Sequence, residues 1–202
     1  MNKDNVEGLP SKKIIIGFTG KKGCGKTTAA RRLSQKLGFV KHSFADPLKE
    51  MTFQFIRSFG YQPDEVREFI DKNKSYTIPE IGRSARWIMQ TLGTEWGREL
   101  INGHCWVKAE ALRLQRTLDQ RIVFDDVRFE NEADLIRDKG GVIIHIQRES
   151  GEADYHASER GISVNKNDLV LINSHENEYQ FCDYIESVVY QRSKFFMSAD
   201  KL

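Results

Sequence analysis

The sequence predicts an α/β protein, a five-stranded parallel sheet with helices on both faces. Three observations carry that prediction. Short, wholly apolar runs recur along the chain, as parallel strands buried on both faces require. Segments with helical periodicity alternate with them. A glycine-rich turn stands between the first run and the first helix, at the carboxyl edge of the sheet, where open α/β folds bind ligands.

The first strand is Ile14-Ile15-Ile16, entered from Lys12-Lys13. The turn Gly20–Gly25 follows, then a helix with Ala29, Leu33 and Leu37 on one face and Gly38 placed to end it. Phe39–Phe44 reads as the second strand. From Asp46 to about Cys105 the pattern is mainly helical. Leu48, Met51, Phe55 and Phe59 recur at helical spacing, and Pro63 and Pro79 precede acidic residues as at helix starts. Ser84 is placed to cap a helix running to Leu92, which Gly93 breaks. Trp106 to Asp119 is a further helix with Val107, Ala111, Leu114 and Leu118 on one side. Ile122-Val123-Phe124 is the third strand and ends in Asp125-Asp126. A helix from about Asn131 stops at Gly140-Gly141, and Val142–Ile146 is the fourth strand. Gln147–Asn167 is polar and loop-like, Leu169–Ile172 is the fifth strand, and Glu178, Cys182, Ile185 and Val189 mark one face of a last helix. The expected organisation is one domain with a core of residues 12–45, 106–147 and 168–193. A helical insertion of about 46–105 and a polar one of about 148–167 interrupt it.

Composition narrows the function. The chain has 202 residues, enough for one sizeable core. Its 31 basic and 29 acidic residues leave a net charge of +2, which supplies no global field for gripping a nucleic-acid polymer. Cys24, Cys105 and Cys182 are isolated and odd in number, which argues against a disulfide framework or structural zinc and for a reducing interior. The start, Met1 to Pro10, has no signal-peptide pattern, and no apolar run reaches membrane-spanning length. The expectation is a cytoplasmic protein without membrane contact, and a homodimer is compatible with the sequence.

Gly20-Lys21-Lys22-Gly23-Cys24-Gly25-Lys26-Thr27 matches G-x-x-x-x-G-K-[ST] in full. In such a P-loop the glycines let backbone N–H groups converge on phosphate oxygens, and the helix that follows aims its positive end at the same place. Lys26 reaches the β- and γ-phosphates of a nucleoside triphosphate, and the Thr27 hydroxyl binds magnesium. The expected ATP contacts are Gly20, Lys21, Gly23, Cys24, Gly25, Lys26, Thr27 and Thr28. The fold is then a three-layer P-loop fold. Asp125 and Asp126 close strand three, where a carboxylate holds magnesium opposite Thr27; Asp126 is favoured. Arg128 follows two residues later and can fork onto a phosphate, or else pair with Glu130 or Glu132. Asn165-Lys166-Asn167-Asp168 spells the guanine-reading N-K-x-D of GTPases, but it enters a strand here instead of leaving one, and reads as a loop. Trp87, Trp96 and Trp106 have the chemistry to stack on a base, although aromatics in helical stretches are mostly core.

Further strings carry a family resemblance. Gln90-Thr91-Leu92-Gly93-Thr94-Glu95-Trp96-Gly97-Arg98, Trp106-Val107 and Asp125-Asp126-Val127-Arg128-Phe129-Glu130-Asn131-Glu132 resemble the phage-type deoxynucleoside monophosphate kinases. Phe44-Ala45-Asp46-Pro47-Leu48-Lys49 and His156-Ala157-Ser158-Glu159 fit the same pattern, so the resemblance runs from about Ile14 to Val189. It implies transfer of the ATP γ-phosphate to a deoxynucleoside monophosphate, a helical monophosphate-binding region and a lid. It also implies Asp46, Arg83, Arg86, Gln90, Glu95 and Arg98 for the monophosphate site, and Arg148 and Arg160 for the lid, where they join Lys26 and Arg128 in catalysis. The family suggests a viral enzyme that supplies DNA precursors in a host cell.

An acceptor that is already an anionic phosphate needs no general base, so catalysis is expected to rest on positioning and charge neutralisation. Two rivals remain at this level. A dephospho-coenzyme A kinase would need a carboxylate base for its hydroxyl acceptor, which Asp46 could supply. An ATP-hydrolysing switch would place a water-polarising carboxylate after the metal aspartate, where this chain has Val127 and Arg128.

Overall fold

The computed structural model describes residues 13–148, 161–174 and 177–199, with side chains up to residue 191. Two compact units emerge, one drawn from Met1–His42 and Leu118–Leu202, the other from Ser43–Thr117.

The first unit holds the sheet. Its strands are β1 (Ile14–Thr19), β2 (Val40–His42), β5 (Arg121–Phe124), β6 (Val142–Gln147) and β7 (Leu169–Ile172), numbered with the short β3 (Thr77–Ile78) and β4 (Arg83–Ser84) of the other unit. The sheet order is β2-β5-β1-β6-β7, and every pairing is parallel. The all-apolar runs are explained by burial on two sides. Ile16, Phe18, Val123, Ile144 and Ile146 face a core shared with Ala29, Ala30 and Leu33 of α1 (Lys26–Leu37) and with Phe181, Ile185 and Val189 of α7 (Glu178–Ala199). Gly17 faces the other way, where an added methyl would press into Ile136 of α6 (Glu130–Asp138) and into Val127. Arg31 pairs with Glu178, and Arg32 with Asp183 at 2.6 Å and Glu186 at 2.8 Å, which ties α1 to α7.

The second unit is helical, with one hairpin. It comprises α2 (Asp46–Arg57), α3 (Pro63–Arg67), β3, β4, α4 (Ala85–Thr91) and α5 (Cys105–Arg116). Two stretches, Glu68–Lys72 and Leu92–Ile101, are wound as π-helix. Its core gathers Ile56, Val66, Ile70, Ile78, Ala85 and Ile88.

Several expectations are corrected here. Strand two is confined to Val40–His42, and the helix expected over Trp106–Asp119 is Cys105–Arg116. That helix groups with the 43–117 unit instead of the sheet core, because Trp106 packs on Gly97 and Arg113 pairs with Asp46 at 2.9 Å. Pro63 does open a helix, with the Gln62 N–H donating to Glu65 at 2.7 Å, but Pro79 sits in the turn between β3 and β4. The inward face of α2 is Leu48, Thr52 and Ile56, whereas Phe55 and Phe59 lie exposed, edge to face at 5.3 Å. Ser84 caps α4 as expected, accepting from the Trp87 N–H at 3.2 Å. Gly93 does not end the helix. The chain continues through it as a π-helix to Ile101, a winding that elsewhere is usually a single turn and often marks functional sites.

Candidate active site

β1 delivers the chain to Gly20, and α1 takes it up at Lys26. The loop between them needs glycine at φ +140° (Gly20), +80° (Gly23) and +111° (Gly25), a range that side chains rarely adopt. Two of these glycines are also wedged. A methyl on Gly20 would collide with the Ile146 carbonyl, and one on Gly25 would come within 2.7 Å of the Phe181 ring and 3.1 Å of the Asn173 amide. The first turn of α1 carries no acidic residue and no side-chain cap among the described residues, so its N–H groups face outward uncapped. Lys26 lies across the loop, its ammonium donating to the Gly20 and Lys21 carbonyls at 2.5 and 2.8 Å. Thr27 is exposed, Lys21 is exposed and Cys24 is buried. Thr28 is the third residue of α1 and is half-buried.

Arg148, just past β6, donates to the Gly23 carbonyl at 3.4 Å, so the structure brings this residue to the loop. Arg160 and the string from His156 to Glu159 lie outside the described residues. The segment beyond them is well anchored. Asp168 is buried and accepts a fork from Arg137 at 2.6 and 3.2 Å, the Asn165 N–H at 2.9 Å, and a contact from His145 at 3.1 Å. Burial alone would raise the Asp168 pKa; the Arg137 fork, the Asn165 N–H and His145 outweigh it and hold the carboxyl below the usual range. Glu130 joins by accepting the Ser163 N–H at 2.5 Å, which lowers its pKa too. The N-K-x-D string is thus a turn closed by its own aspartate and tied to α6.

β5 lies directly beside β1, with Phe124 opposite Gly17, so the carboxylates that follow it open next to the strand that leads into the loop. Asp125 is nearly buried and pairs with Lys41 at 2.7 Å. Asp126 follows it and is half-buried. The Arg128 guanidinium is exposed and has no ion pair among the described residues. The pairing with Glu130 or Glu132 is not made. Glu130 serves Ser163, and the buried Glu132 accepts the backbone N–H groups of Arg128 and Phe129 at 2.8 and 3.2 Å. Glu132 therefore shapes the loop that carries Arg128.

In the second unit, Arg83, Arg86, Gln90 and Glu95 are exposed, with Arg83 stacked over the Trp87 ring at 4.9 Å. Trp87 and Trp96 are also exposed, and only Trp106 is core. Arg98 is half-buried and does not make the helical pair with Glu95; it donates to the Gly93 carbonyl at 2.7 Å, which also accepts from the Trp106 indole at 2.9 Å. Asp46 accepts from Arg113 at 2.9 Å and Lys49 at 3.3 Å, one on each oxygen. Arg113 is partly buried, which would lower its pKa, but Asp46 and the buried Glu110 raise it on balance. Sequence reading missed Arg113, Glu110, Arg137 and Asn173, and it offered Glu132 only as an ion-pair partner for Arg128. Of these, only Glu132 carried a local signal, as an acid three residues after a helix entry.

A parallel sheet whose first strand turns through a glycine loop into an uncapped helix, with carboxylates at the end of the neighbouring strand, defines a P-loop nucleotide-binding fold. A family model for deoxynucleotide monophosphate kinase matches residues 60–180. A protein of Acanthamoeba polyphaga mimivirus assigned as a deoxynucleotide monophosphate kinase is 32% identical over 188 residues, covering 87% of this chain and 96% of that one. The deoxynucleoside-5'-monophosphate kinase of Escherichia phage T5 is 27% identical over 133 residues, covering 58% of this chain and 53% of that enzyme. A crystal structure of a protein from Chloroflexus aurantiacus assigned as a kinase aligns over 90% of this chain and 98% of its own, at 12% identity and a TM-score of 0.45. The chain belongs to the deoxynucleotide monophosphate kinase family.

Proposed function

We propose that the chain transfers the γ-phosphoryl group of ATP to a deoxynucleoside monophosphate, releasing ADP and a deoxynucleoside diphosphate. The observation that carries this is the complete P-loop Gly20–Thr27 between β1 and α1 in a chain of this family. Gly20, Lys21, Gly23, Cys24 and Gly25 cradle the donor phosphates, with Thr28 alongside. Lys26 leaves the loop carbonyls to neutralise the β- and γ-oxygens, and Arg128 and Arg148 bring further positive charge to the transferring group.

The residues present suit magnesium: a hydroxyl at Thr27 and carboxylates at Asp125 and Asp126 are oxygen donors of the kind a hard cation takes. Bound there, magnesium would neutralise charge on the triphosphate. Asp126 remains the favoured carboxylate, and Asp125 pairs with Lys41.

Arg83, Arg86, Gln90, Glu95 and Arg98, with Asp46, form the acceptor side. No general base is needed there, because the acceptor oxygen is already anionic. Asp46 has a cation on each oxygen, which disfavours it as base for a hydroxyl acceptor. The viral origin of both relatives supports a role in DNA precursor supply in a host cytoplasm. No described helix is long and apolar enough to cross a membrane. ADP formation measured with ATP alone, then with each of the four deoxynucleoside monophosphates, tests the reading. Turnover should depend on the acceptor, and acceptor-independent hydrolysis at the same rate would sink it.

A further inference from the structure

The side chain of Asn173, the first residue beyond β7, is buried and reaches the phosphate loop from a strand 149 residues away in sequence. Its amide nitrogen donates to the Cys24 carbonyl at 3.0 Å. Its own backbone N–H donates to the Gln147 carbonyl at 2.7 Å, so the end of β6 fixes where Asn173 stands. Phe181 of α7 closes the same spot, packed against Gly25.

We propose that Asn173 is a positioning residue for the triphosphate site, acting through the Cys24–Gly25 peptide. That peptide is trans, so its carbonyl and its N–H point in opposite directions. Asn173 draws the Cys24 carbonyl toward the sheet and thereby turns the Gly25 N–H away from it, into the hollow of the loop. Among the described residues the Gly25 N–H has no acceptor. Without Asn173, the Cys24 carbonyl is free to turn inward, where a carbonyl oxygen repels phosphate. The loop would then have to reorganise with each binding event, a cost that a preorganised donor avoids. The Asn173 carbonyl oxygen is buried with no partner among the described residues. An unmatched acceptor has a price in stability, and the residue is therefore poorly explained as a packing element.

The inference rests on the P-loop being the donor site, and the test separates the two. Asn173→Ala and Asn173→Asp are titrated well below their melting temperatures with MgADP, and separately with each deoxynucleoside monophosphate. Asn173→Ala should weaken MgADP about tenfold, as expected for one lost buried hydrogen bond. Asn173→Asp, which sets a carboxylate against the Cys24 carbonyl, should weaken it further. Monophosphate affinity should keep its wild-type value in both. Unchanged MgADP affinity in folded Asn173→Ala would overturn the inference, and so would equal weakening of both ligands, the mark of a merely structural role. A wild-type protein that binds no MgADP would instead sink the donor-site reading, and the inference with it.

Discussion

The Gly20–Gly25 loop and the Gly93–Gly97 stretch both depend on glycine, for opposite reasons. In the loop, glycine takes positive φ so that backbone N–H groups can converge on a ligand. In the π-helix, no glycine has positive φ; each is there because a neighbour fills the space a side chain would occupy. An added methyl on Gly97 would come within 2.6 Å of the Trp106 indole, and one on Gly93 within 3.1 Å of Leu48. One region is shaped by what it binds, the other by what packs on it. Variants in the loop should thus lose activity at constant stability, and variants in the π-helix should lose stability first.

Lys26→Ala carries the largest expected effect. Among the described residues Lys26 is held only by loop carbonyls and the Cys24 sulfur, so its loss leaves no cavity in the core. Phosphoryl transfer should fall by about 10³-fold or more, with the melting temperature unchanged. Near wild-type transfer in the folded variant would erase the comparison. Next come the strand-end carboxylates. Asp126→Asn should lower transfer about 10–100-fold and raise the magnesium concentration needed for half-activity. Asp125→Asn should act less on magnesium, because its partner is Lys41 at 2.7 Å. Equal and negligible magnesium effects would make both aspartates structural.

The difference between the regions also explains what the sequence disclosed. The central strands were readable because parallel strands buried on both faces need unbroken apolar runs, and Ile14–Ile16 and Ile122–Phe124 are such runs; β2, Val40-Lys41-His42, has no such run, and its bounds were misjudged. The phosphate loop was readable because its chemistry lies in eight consecutive residues. Gly93 was misread as a breaker because its reasons are Leu48 and Trp106, which only the fold brings near. Pro79 looked like a helix start because a proline followed by an acid suits both a first helical turn and a hairpin turn. Asn173, Arg113 and Arg137 each reach a partner dozens of residues or more away, and no local spacing encodes that.

Gly97→Ala sharpens the comparison on the stability side. Trp106 cannot simply swing aside, since its indole N–H is held by the Gly93 carbonyl at 2.9 Å. The variant should lose about 1–3 kcal/mol of stability, as overpacking typically costs. Gly93→Ala should lose less, because its obstacle is one flexible Leu48 methyl. Urea unfolding of both variants checks the ranking, and the reverse order would show that Trp106 is not a fixed wall.

Arg98→Lys carries the smallest expected effect and tests where the two regions differ most finely. Arg98 closes the Leu92–Arg98 string and is half-buried, with one terminal N–H donating to the Gly93 carbonyl at 2.7 Å. A guanidinium has five N–H donors in a fixed fork, so a single arginine can both brace a π-helix and fork onto a phosphate. A lysine ammonium is a point charge on a flexible stem and cannot hold both at fixed angles. Arg98→Lys should therefore raise KM for the monophosphate and lower kcat, together about tenfold in kcat/KM, while KM for ATP stays near wild type. If Arg98 served only as a brace for Gly93, the variant would lose stability with no selective change in monophosphate KM. Steady-state kinetics with each substrate varied in turn, set beside the melting temperature, separates the two. A lower melting temperature with unaltered monophosphate KM would remove Arg98 from the acceptor site and leave it wholly on the packing side of the comparison.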